Sequence, residues 1–263
     1  MKSIGIIGFG NMGEALGSGL SMKYGDLKWT VLEKFAPAAE KAKSLGAQVV
    51  DNLQKLASQS EVLIVAIKPQ DIPEMLKNLA PWIKPEHTII SIAAGLKTTF
   101  FQEKLGTHQV VRYMPNLAAK AGKSLVGVAF GQGLDPQRGE LALEIASSLG
   151  QGSLVPEKLM SAVTGISGSG LAFVFEFIHA LALGGVREGL PYPQALDFSL
   201  ATVEGAAALL RQSGEHPSAM TSKVISPAGT TIEGVRALKE YGMEIAVMEA
   251  VSAAARRATE LEG

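Results

Sequence analysis

The chain has 263 residues, of which 47% are hydrophobic and 19% charged, and this composition excludes a disordered protein. With 24 Lys and Arg against 25 Asp and Glu, the net charge of −1 gives no general field for nucleic acid or an acidic membrane surface. Cysteine is absent, which excludes disulfides and thiolate chemistry and fits a cytoplasmic protein. No cluster has the spacing of metal ligands, so we expect no metal.

The first part of the chain alternates short β-rich runs with helical patterns. Predicted strands occupy residues 3–8, 29–33, 47–50, 62–67, 88–93, 109–114, 125–130 and 152–155. Predicted helices occupy residues 14–23, 38–45, 53–59, 72–81 and 96–105, with one more between the last two strands. Continuous apolar runs are typical of strands buried on both faces of a parallel sheet. The alternation predicts an α/β fold with a Rossmann-like, doubly wound sheet over residues 1–157.

The strand signals end after residue 157. Segments rich in Ala and Leu run over residues 171–189, 192–213 and 231–261. We therefore predict a second, all-α domain over residues 158–263, which is an ordinary domain size.

One segment of this helical part, residues 171–185, is apolar on nearly every side although it includes Glu176 and His179. It is shorter than the roughly 20 residues that cross a bilayer, so we predict no membrane span. A helix that is apolar all round must be buried. We expect an interface between copies of the chain, a homo-oligomer, to bury it.

The first glycines form a motif with a physical reason for each position. Gly8-Phe9-Gly10-Asn11-Met12-Gly13 reads G-x-G-x-x-G, directly after a predicted strand and at the start of a predicted helix. In this context the motif predicts dinucleotide binding. The first glycine allows a tight turn, the second lets the backbone approach a pyrophosphate, and the third lets the helix pack on the strand. The alternative is a glycine-rich turn without a ligand.

The choice of cofactor depends on the end of the second strand. Glu33 follows the motif at the distance of about 20 residues where an acid accepts a hydrogen bond from the ribose 2′-hydroxyl of NAD. Such an acid repels the 2′-phosphate of NADP, whereas Lys34 beside it could accept that phosphate. We predict NADH or NADPH, with NADH slightly favoured. If Glu33 points to solvent, it has no part in the choice.

Two further clusters of small residues precede predicted helices, at residues 166–170 and 226–231. Thr230 and Glu233 fit a capping box, so helix capping alone could explain the second cluster. Free N–H groups at residues 229–231 could also hold a carboxylate.

The sequence resembles the pyrroline-5-carboxylate reductase family over essentially its whole length. The resemblance is carried by the glycine motif and by residues 66–69, 91–95, 112–116, 165–170 and 226–233. It implies reduction of 1-pyrroline-5-carboxylate to L-proline, the last step of proline biosynthesis, with NADH or NADPH. It also implies a Rossmann domain followed by a helical dimerisation domain, with homodimers that often assemble further into decamers.

The resemblance also implies roles for individual residues. Together with Glu33, the expected cofactor-binding residues are Gly8, Phe9, Gly10, Asn11, Met12, Gly13, Asn52, Ala66, Lys68, Pro69, Ala93, Ala94 and Gly95. Asn52 is expected near the adenine ribose. The expected substrate-binding residues are Ser226, Gly229, Thr230 and Thr231, whose backbone N–H groups would hold the substrate carboxylate. Thr231 would face the ring nitrogen, which makes it the expected catalytic residue.

Three motifs depart from the family pattern. Leu171 and Phe173 stand where the family usually has Pro and Tyr, and Leu117-Ala118 replaces Thr-Pro. Ala228 replaces the first glycine of Pro-Gly-Gly and would be strained if its φ is positive. These departures leave open a related cyclic imino acid as substrate, or a weakened enzyme.

Reduction of a C=N bond places a hydride on carbon and a proton on nitrogen. Because an imine nitrogen is partly protonated near neutral pH, the hydroxyl of Thr231 would suffice to orient it and pass a proton from water. His87 and His108 fall in predicted turns, where we expect them at the surface. A hydroxy-acid dehydrogenase would need a general base, and Lys223 is the Lys nearest the substrate loop. A third alternative is a non-enzymatic nucleotide-binding protein.

Overall fold

The computed structural model describes residues 3–25 and 27–262, which form two compact units. The first unit extends to Leu171 and includes the segment from Ala253 onward, and the second is Ala172–Ser252. The domain boundary at residue 157 stays a prediction, and it follows closely on the end of the last strand at Leu154.

The first unit contains one eight-stranded sheet. Its strands are β1 (Ile4–Ile7), β2 (Trp29–Leu32), β3 (Gln48–Val50), β4 (Val62–Val65), β5 (Thr88–Ser91), β6 (Val110–Met114), β7 (Ser124–Phe130) and β8 (Gly150–Leu154). Their order is β3-β2-β1-β4-β5-β6-β7-β8. The first six strands are parallel, β7 runs antiparallel to β6, and β8 is parallel to β7. The predicted Rossmann-like sheet is confirmed, with a mixed far end.

The direction of β7 follows from the length of the segment before it. Only residues 115–123 connect β6 to β7, and they form a short 3₁₀ turn at Leu117–Ala121. A parallel pair needs a crossover of a dozen or more residues, so this connection permits only an antiparallel pair.

Helices cover both faces of the sheet, as the buried strands require. They are α1 (Asn11–Lys23), α2 (Ala36–Ser44), α3 (Leu53–Ser58), α4 (Ile72–Leu79), α5 (Thr98–Leu105), α6 (Pro136–Ala146) and α7 (Met160–Val163). Leu16 of α1 and Ile145 of α6 belong to one core cluster. Leu56 of α3, Leu76 of α4 and Phe101 of α5 belong to another.

The expectation that His87 lies at the surface is wrong, because its side chain is buried. Its Nδ1 accepts a hydrogen bond from Lys84 N at 2.9 Å, and its Nε2 donates to Ala57 O at 3.1 Å. With both ring nitrogens satisfied by backbone groups, His87 is a structural residue of the core.

The C-terminal part is helical, as predicted. Its helices are α8 (Gly170–Arg187), α9 (Tyr192–Ser213), α10 (Pro217–Val224), α11 (Thr230–Glu240) and α12 (Met243–Glu260). The predicted helix over residues 231–261 is two helices, because Gly242 has φ of 72° and interrupts the helical run. Helix α10 is absent from the prediction.

The predicted length of the apolar segment is wrong. Helical turns continue over Glu157–Arg187, 31 residues, whose most apolar 18-residue window has a mean hydropathy of 1.6; by length and composition this run could cross a membrane. Only 11% of its most apolar window is buried. The exposed side chains of α8 include Val174, Phe175, Phe177, Leu181 and Leu183. An apolar face of this kind requires a partner surface.

Candidate active site

The predicted cofactor-binding residues follow strands that are parallel neighbours. The carboxyl ends of β3, β2, β1, β4 and β5 therefore meet at one edge of the sheet. The winding reverses between β1 and β4, and ligands of open α/β sheets bind at such a switch point. The residues at this edge are Asn52, Glu33, the run from Gly8 to Gly13, the segment from Ala66 through Lys68 to Pro69, and Ala93, Ala94 and Gly95.

The three motif glycines have three different surroundings. Gly8 has φ of 92°, and a β-carbon on it would lie 2.5 Å from Ile67 Cγ2 and 2.8 Å from Ala66 O. A β-carbon on Gly13 would overlap the carbonyl oxygen of Gly8. Gly10, in contrast, is exposed and has nothing within 4 Å of the place where a β-carbon would be. The loop thus leaves an open cradle beside Gly10, which fits a pyrophosphate group.

The side chains within the motif do not all face this cradle. Phe9 is buried, with its ring centroid 5.9 Å from that of Trp29, so only its backbone can meet a ligand. Met12 packs against the core. The exposed Asn11 accepts a hydrogen bond from Lys120 Nζ at 3.4 Å. Lys120 is a cation beside the start of α1 that sequence analysis missed.

Glu33 does not point away into solvent. Its carboxylate accepts hydrogen bonds from Phe9 N at 2.6 Å and from Phe35 N at 2.8 Å. Hydrogen bonds of this kind to a charged acceptor are short and strong. The negative charge of Glu33 is therefore fixed against the glycine loop.

A cavity of about 910 Å³ opens at this edge of the sheet. Gly8, Glu33, Lys34 and Asn52 line it. Asn52 also caps α3, because its side-chain oxygen accepts a hydrogen bond from Lys55 N at 2.8 Å.

The cavity has further lining residues that sequence analysis missed, among them Asp51, Asp71, Glu74, Asn78 and Trp82. Positions 71, 74 and 78 lie three and four residues apart, which is the spacing of one helix face and could have revealed them. The lining of the cavity therefore includes four acidic side chains, counting Glu33, and one lysine, Lys34. The hydrogen bond from Lys55 lowers the pKa of Asp51 and keeps it ionised.

The turn after β5 lies at the same edge of the sheet but outside this cavity. Ala93 N donates a hydrogen bond to Ser91 Oγ at 3.2 Å, Ala94 is exposed, and Gly95 has φ of 79°. After β4, Pro69 begins a 3₁₀ turn that ends at Asp71. Within residues 3–25 and 27–262, no group of three or more His, Asp or Glu side chains could hold a metal ion.

The predicted substrate loop belongs to the second compact unit. Gly229 N donates a hydrogen bond to Ser226 O at 3.0 Å, with Pro227 and Ala228 between them. The positive φ of 55° at Ala228, in the third position, is the mark of a type II turn. The prediction that the Gly229 N–H is free for a carboxylate is wrong, because the turn uses it.

The predicted capping box of Thr230 and Glu233 is also wrong. Helix α11 begins at Thr230 with Gly229 as its N-cap, and no side chain caps it. The N–H groups of Thr230 and Thr231 lie in the first turn, where the helix provides no acceptor for them. They remain suited to an anionic group, and the side chain of Thr231 is half-buried.

Ala228 is strained, as expected for an L-residue at positive φ. Among residues 3–25 and 27–262 it is the only non-glycine residue there. Left-handed backbone costs an L-residue roughly 1–2 kcal/mol, whereas glycine loses about 0.4–1 kcal/mol through the freedom of its unfolded chain. We expect Ala228→Gly to raise the free energy of unfolding by about 0.5 kcal/mol.

Urea denaturation tests this, with Ala253→Gly on the exposed side of α12 as the matched control. The control should lose about 1 kcal/mol, the ordinary cost of glycine within a helix. Equal losses in both variants would contradict the strain at Ala228.

The chain matches two family profiles. Residues 157–261 match the one described as pyrroline-5-carboxylate reductase dimerisation, and residues 3–95 match the one described as NADP oxidoreductase, coenzyme F420-dependent. The chain is 41% identical to the pyrroline-5-carboxylate reductase of Methanosarcina acetivorans, over 99% of this chain and 98% of that protein.

Solved structures are similar over the full length as well. A pyrroline-5-carboxylate reductase from Coxiella burnetii has a TM-score of 0.94 at 26% identity, covering 100% of this chain and 99% of that chain. The pyrroline carboxylate reductase of Plasmodium falciparum with NADP bound has a TM-score of 0.88 at 25% identity, covering 100% of this chain and 98% of that chain.

A doubly wound sheet with a glycine cradle at its switch point is typical of dinucleotide binding, and the match to an oxidoreductase profile makes this part of the chain a dinucleotide-dependent oxidoreductase domain. The helical region, which includes the apolar face of α8, matches a profile described as a dimerisation domain. With 41% identity over its full length to a named relative, the chain belongs to the pyrroline-5-carboxylate reductase family.

Proposed function

We propose that this chain reduces 1-pyrroline-5-carboxylate to L-proline with NADH or NADPH, the last step of proline biosynthesis. The observation that carries the proposal is the glycine cradle, closed around Gly8 and Gly13 and open at Gly10, in a chain of this family. The departures at Leu117, Leu171, Phe173 and Ala228 make a related cyclic imino acid the second candidate substrate.

The reaction requires the protein to position the substrate and to pass on a proton. A nicotinamide cofactor, when bound, supplies the hydride for the imine carbon. The N–H groups of Thr230 and Thr231 hold the substrate carboxylate at the positive end of α11. The hydroxyl of Thr231 donates a hydrogen bond to the ring nitrogen and passes on a proton from water. Alignment of substrate and hydride donor supplies the larger part of the acceleration.

Lys223, the base that a hydroxy-acid dehydrogenase would need, is otherwise engaged. Its Nζ lies 2.6 Å from Glu215 Oε1 and its side chain is 59% exposed. Because its ammonium group is held at the surface in this ion pair, Lys223 is poorly placed to act as a general base.

We also propose that the enzyme favours NADH over NADPH. Glu33, Asp51, Asp71 and Glu74 line the cavity and repel a further phosphate. Lys34 opposes this repulsion, and Lys55 offsets part of the charge of Asp51 through their ion pair. Dinucleotide enzymes use an acid at the position of Glu33 for the ribose hydroxyls of NAD.

Glu33→Gln tests this preference, because it removes the charge and retains the size of the side chain. We expect the ratio of KM for NADPH to KM for NADH to fall by about 5-fold or more, the effect of roughly 1 kcal/mol. Lys34→Ala is the control of opposite sign and should raise the same ratio. An unchanged ratio in Glu33→Gln would remove Glu33 from the choice of cofactor.

The remaining proposals concern assembly. We propose a dinucleotide-binding domain over residues 1–157 and a substrate and dimerisation domain over residues 158–263. Homodimers form through the apolar face of α8 and can assemble further into decamers, in the cytoplasm and without nucleic acid or membrane as partners. Size-exclusion chromatography with light scattering, at micromolar protein concentration, measures the molar mass of the assembly. A monomer would contradict the proposed homodimer.

The activity itself is tested with purified protein, 1-pyrroline-5-carboxylate and NADH, followed by the loss of absorbance at about 340 nm. We expect oxidation of NADH that depends on this substrate. Oxidation only with another cyclic imine would move the enzyme to the second candidate substrate. Reduction of NAD by a 2-hydroxy acid without any oxidation of NADH by an imine, or no reaction with any substrate, would contradict an imine reductase.

A further inference from the structure

The guanidinium of Arg112 is buried with few partners. Arg112 lies on β6, paired with Ser91 of β5, and its side chain is 2% exposed. Its Nη2 donates to Glu262 Oε1 at 2.7 Å. Among residues 3–25 and 27–262, its Nε and Nη1 have no hydrogen-bond partner. A buried charge so sparsely hydrogen-bonded depends strongly on its ion pair.

A second carboxylate near Arg112 is held elsewhere. Glu157 Oε1 lies 3.9 Å from Arg112 Nη1, beyond hydrogen-bond distance. Instead, Glu157 accepts hydrogen bonds from Thr98 N at 2.7 Å and Thr98 Oγ1 at 2.8 Å, at the start of α5. Glu157 thus satisfies a helix N-terminus. Glu262 is therefore the carboxylate in direct contact with Arg112.

Glu262 lies just after a residue that packs on the turn following β5. A β-carbon on Gly95 would be 2.8 Å from Leu261 O and 3.2 Å from Leu261 C. The backbone of the C-terminal segment therefore covers Gly95, whose φ of 79° also favours glycine. The turn ending at Gly95 is one of those proposed to bind the cofactor.

We propose that the ion pair between Glu262 and Arg112 is a latch that holds Leu261 on Gly95 and so fixes the turn at residues 93–95 for the cofactor. This inference rests on the proposed function. Both charged residues are positioning residues, since they act through Leu261. Releasing the latch frees the turn, and the cofactor must then order it on binding, which weakens affinity.

The test uses Glu262→Gln, which retains the shape of the side chain and removes its charge. Titration of NADH fluorescence should show a Kd raised by about 5-fold or more, the range of ordinary coupling between sites. KM for the cofactor should rise by the same factor, with kcat unchanged. Glu260→Gln is the matched control, because Glu260 pairs with exposed Arg257 at 2.8 Å and should leave Kd at the wild-type value.

Gly95→Ala provides a second variant, because its methyl group displaces Leu261 while the ion pair is intact. If both variants act through one contact, their effects on Kd in the double variant will be less than additive. A wild-type Kd in Glu262→Gln, or additive effects, would overturn the latch and leave the proposed function standing. A wild-type protein that binds no nicotinamide cofactor would overturn both.

Discussion

Replacing Thr231 by alanine is expected to lower kcat/KM for 1-pyrroline-5-carboxylate by about 10-fold or more, because general acid assistance is typically worth 10²–10⁴-fold. The loss should appear without a change in the Kd for NADH, since the cofactor residues follow the strands of the first unit. Steady-state kinetics and fluorescence titration measure the two effects separately.

Two neighbouring variants serve as controls for Thr231→Ala. Thr231→Ser keeps a hydroxyl at this position and should retain most of the wild-type activity. Thr230→Ala keeps its backbone N–H, the group assigned to the carboxylate, and should remain active. A fully active Thr231→Ala, or an equal loss in Thr230→Ala, would contradict the role of the Thr231 hydroxyl.

Alanine at Gly13 and alanine at Gly10 should both weaken cofactor binding, for different reasons. At Gly13 the new methyl group overlaps the carbonyl oxygen of Gly8, so the start of α1 must move. Overpacking of this kind costs about 1–3 kcal/mol of folding free energy. At Gly10 nothing lies within 4 Å, so the fold tolerates the methyl group, which then occupies the open cradle.

We therefore expect Gly10→Ala to retain the wild-type Tm while its Kd for NADH rises about 10-fold or more, a loss of roughly 1.4 kcal/mol. Gly13→Ala should lose both stability and binding. Thermal unfolding and fluorescence titration on the two variants check this. Wild-type affinity in Gly10→Ala would refute a pyrophosphate at the cradle.

The sheet was predictable where local pattern and final environment agree. The apolar run at residues 62–67 predicts a strand buried on both faces, and β4 is such a strand. The antiparallel direction of β7 could also have been predicted, because the connection after β6 is too short for a crossover. Helix α10 had a signal too, since Pro217 stands at its first position.

Other features have no local signal. Glu33 accepts the hydrogen bond from Phe9 N only because β1 and β2 pair, so that the residues after these two strands lie close together. Arg112 and Glu262 are far apart in sequence and meet only because the segment from Ala253 onward returns to the first unit. The burial of His87 was missed because its ring donates a hydrogen bond to Ala57 O of α3, which is distant in sequence.

The substrate loop illustrates both outcomes. Ala228 replaces a glycine of the family pattern, which led to the expectation of strain if φ is positive, and φ is 55° at this position in the turn. The same turn consumes the Gly229 N–H, which the sequence pattern left available for a ligand. Which N–H groups stay free depends on where the helix starts, and helix boundaries are the least certain part of any pattern.

The most direct test of the central claim follows the hydride. Purified protein is incubated with 1-pyrroline-5-carboxylate and NADH deuterated at both C4 positions of the nicotinamide, and the product is analysed by mass spectrometry and NMR. We predict proline with one deuterium on the δ carbon, the former imine carbon. Proline without deuterium, or no proline at all, would contradict reduction of this substrate by the chain.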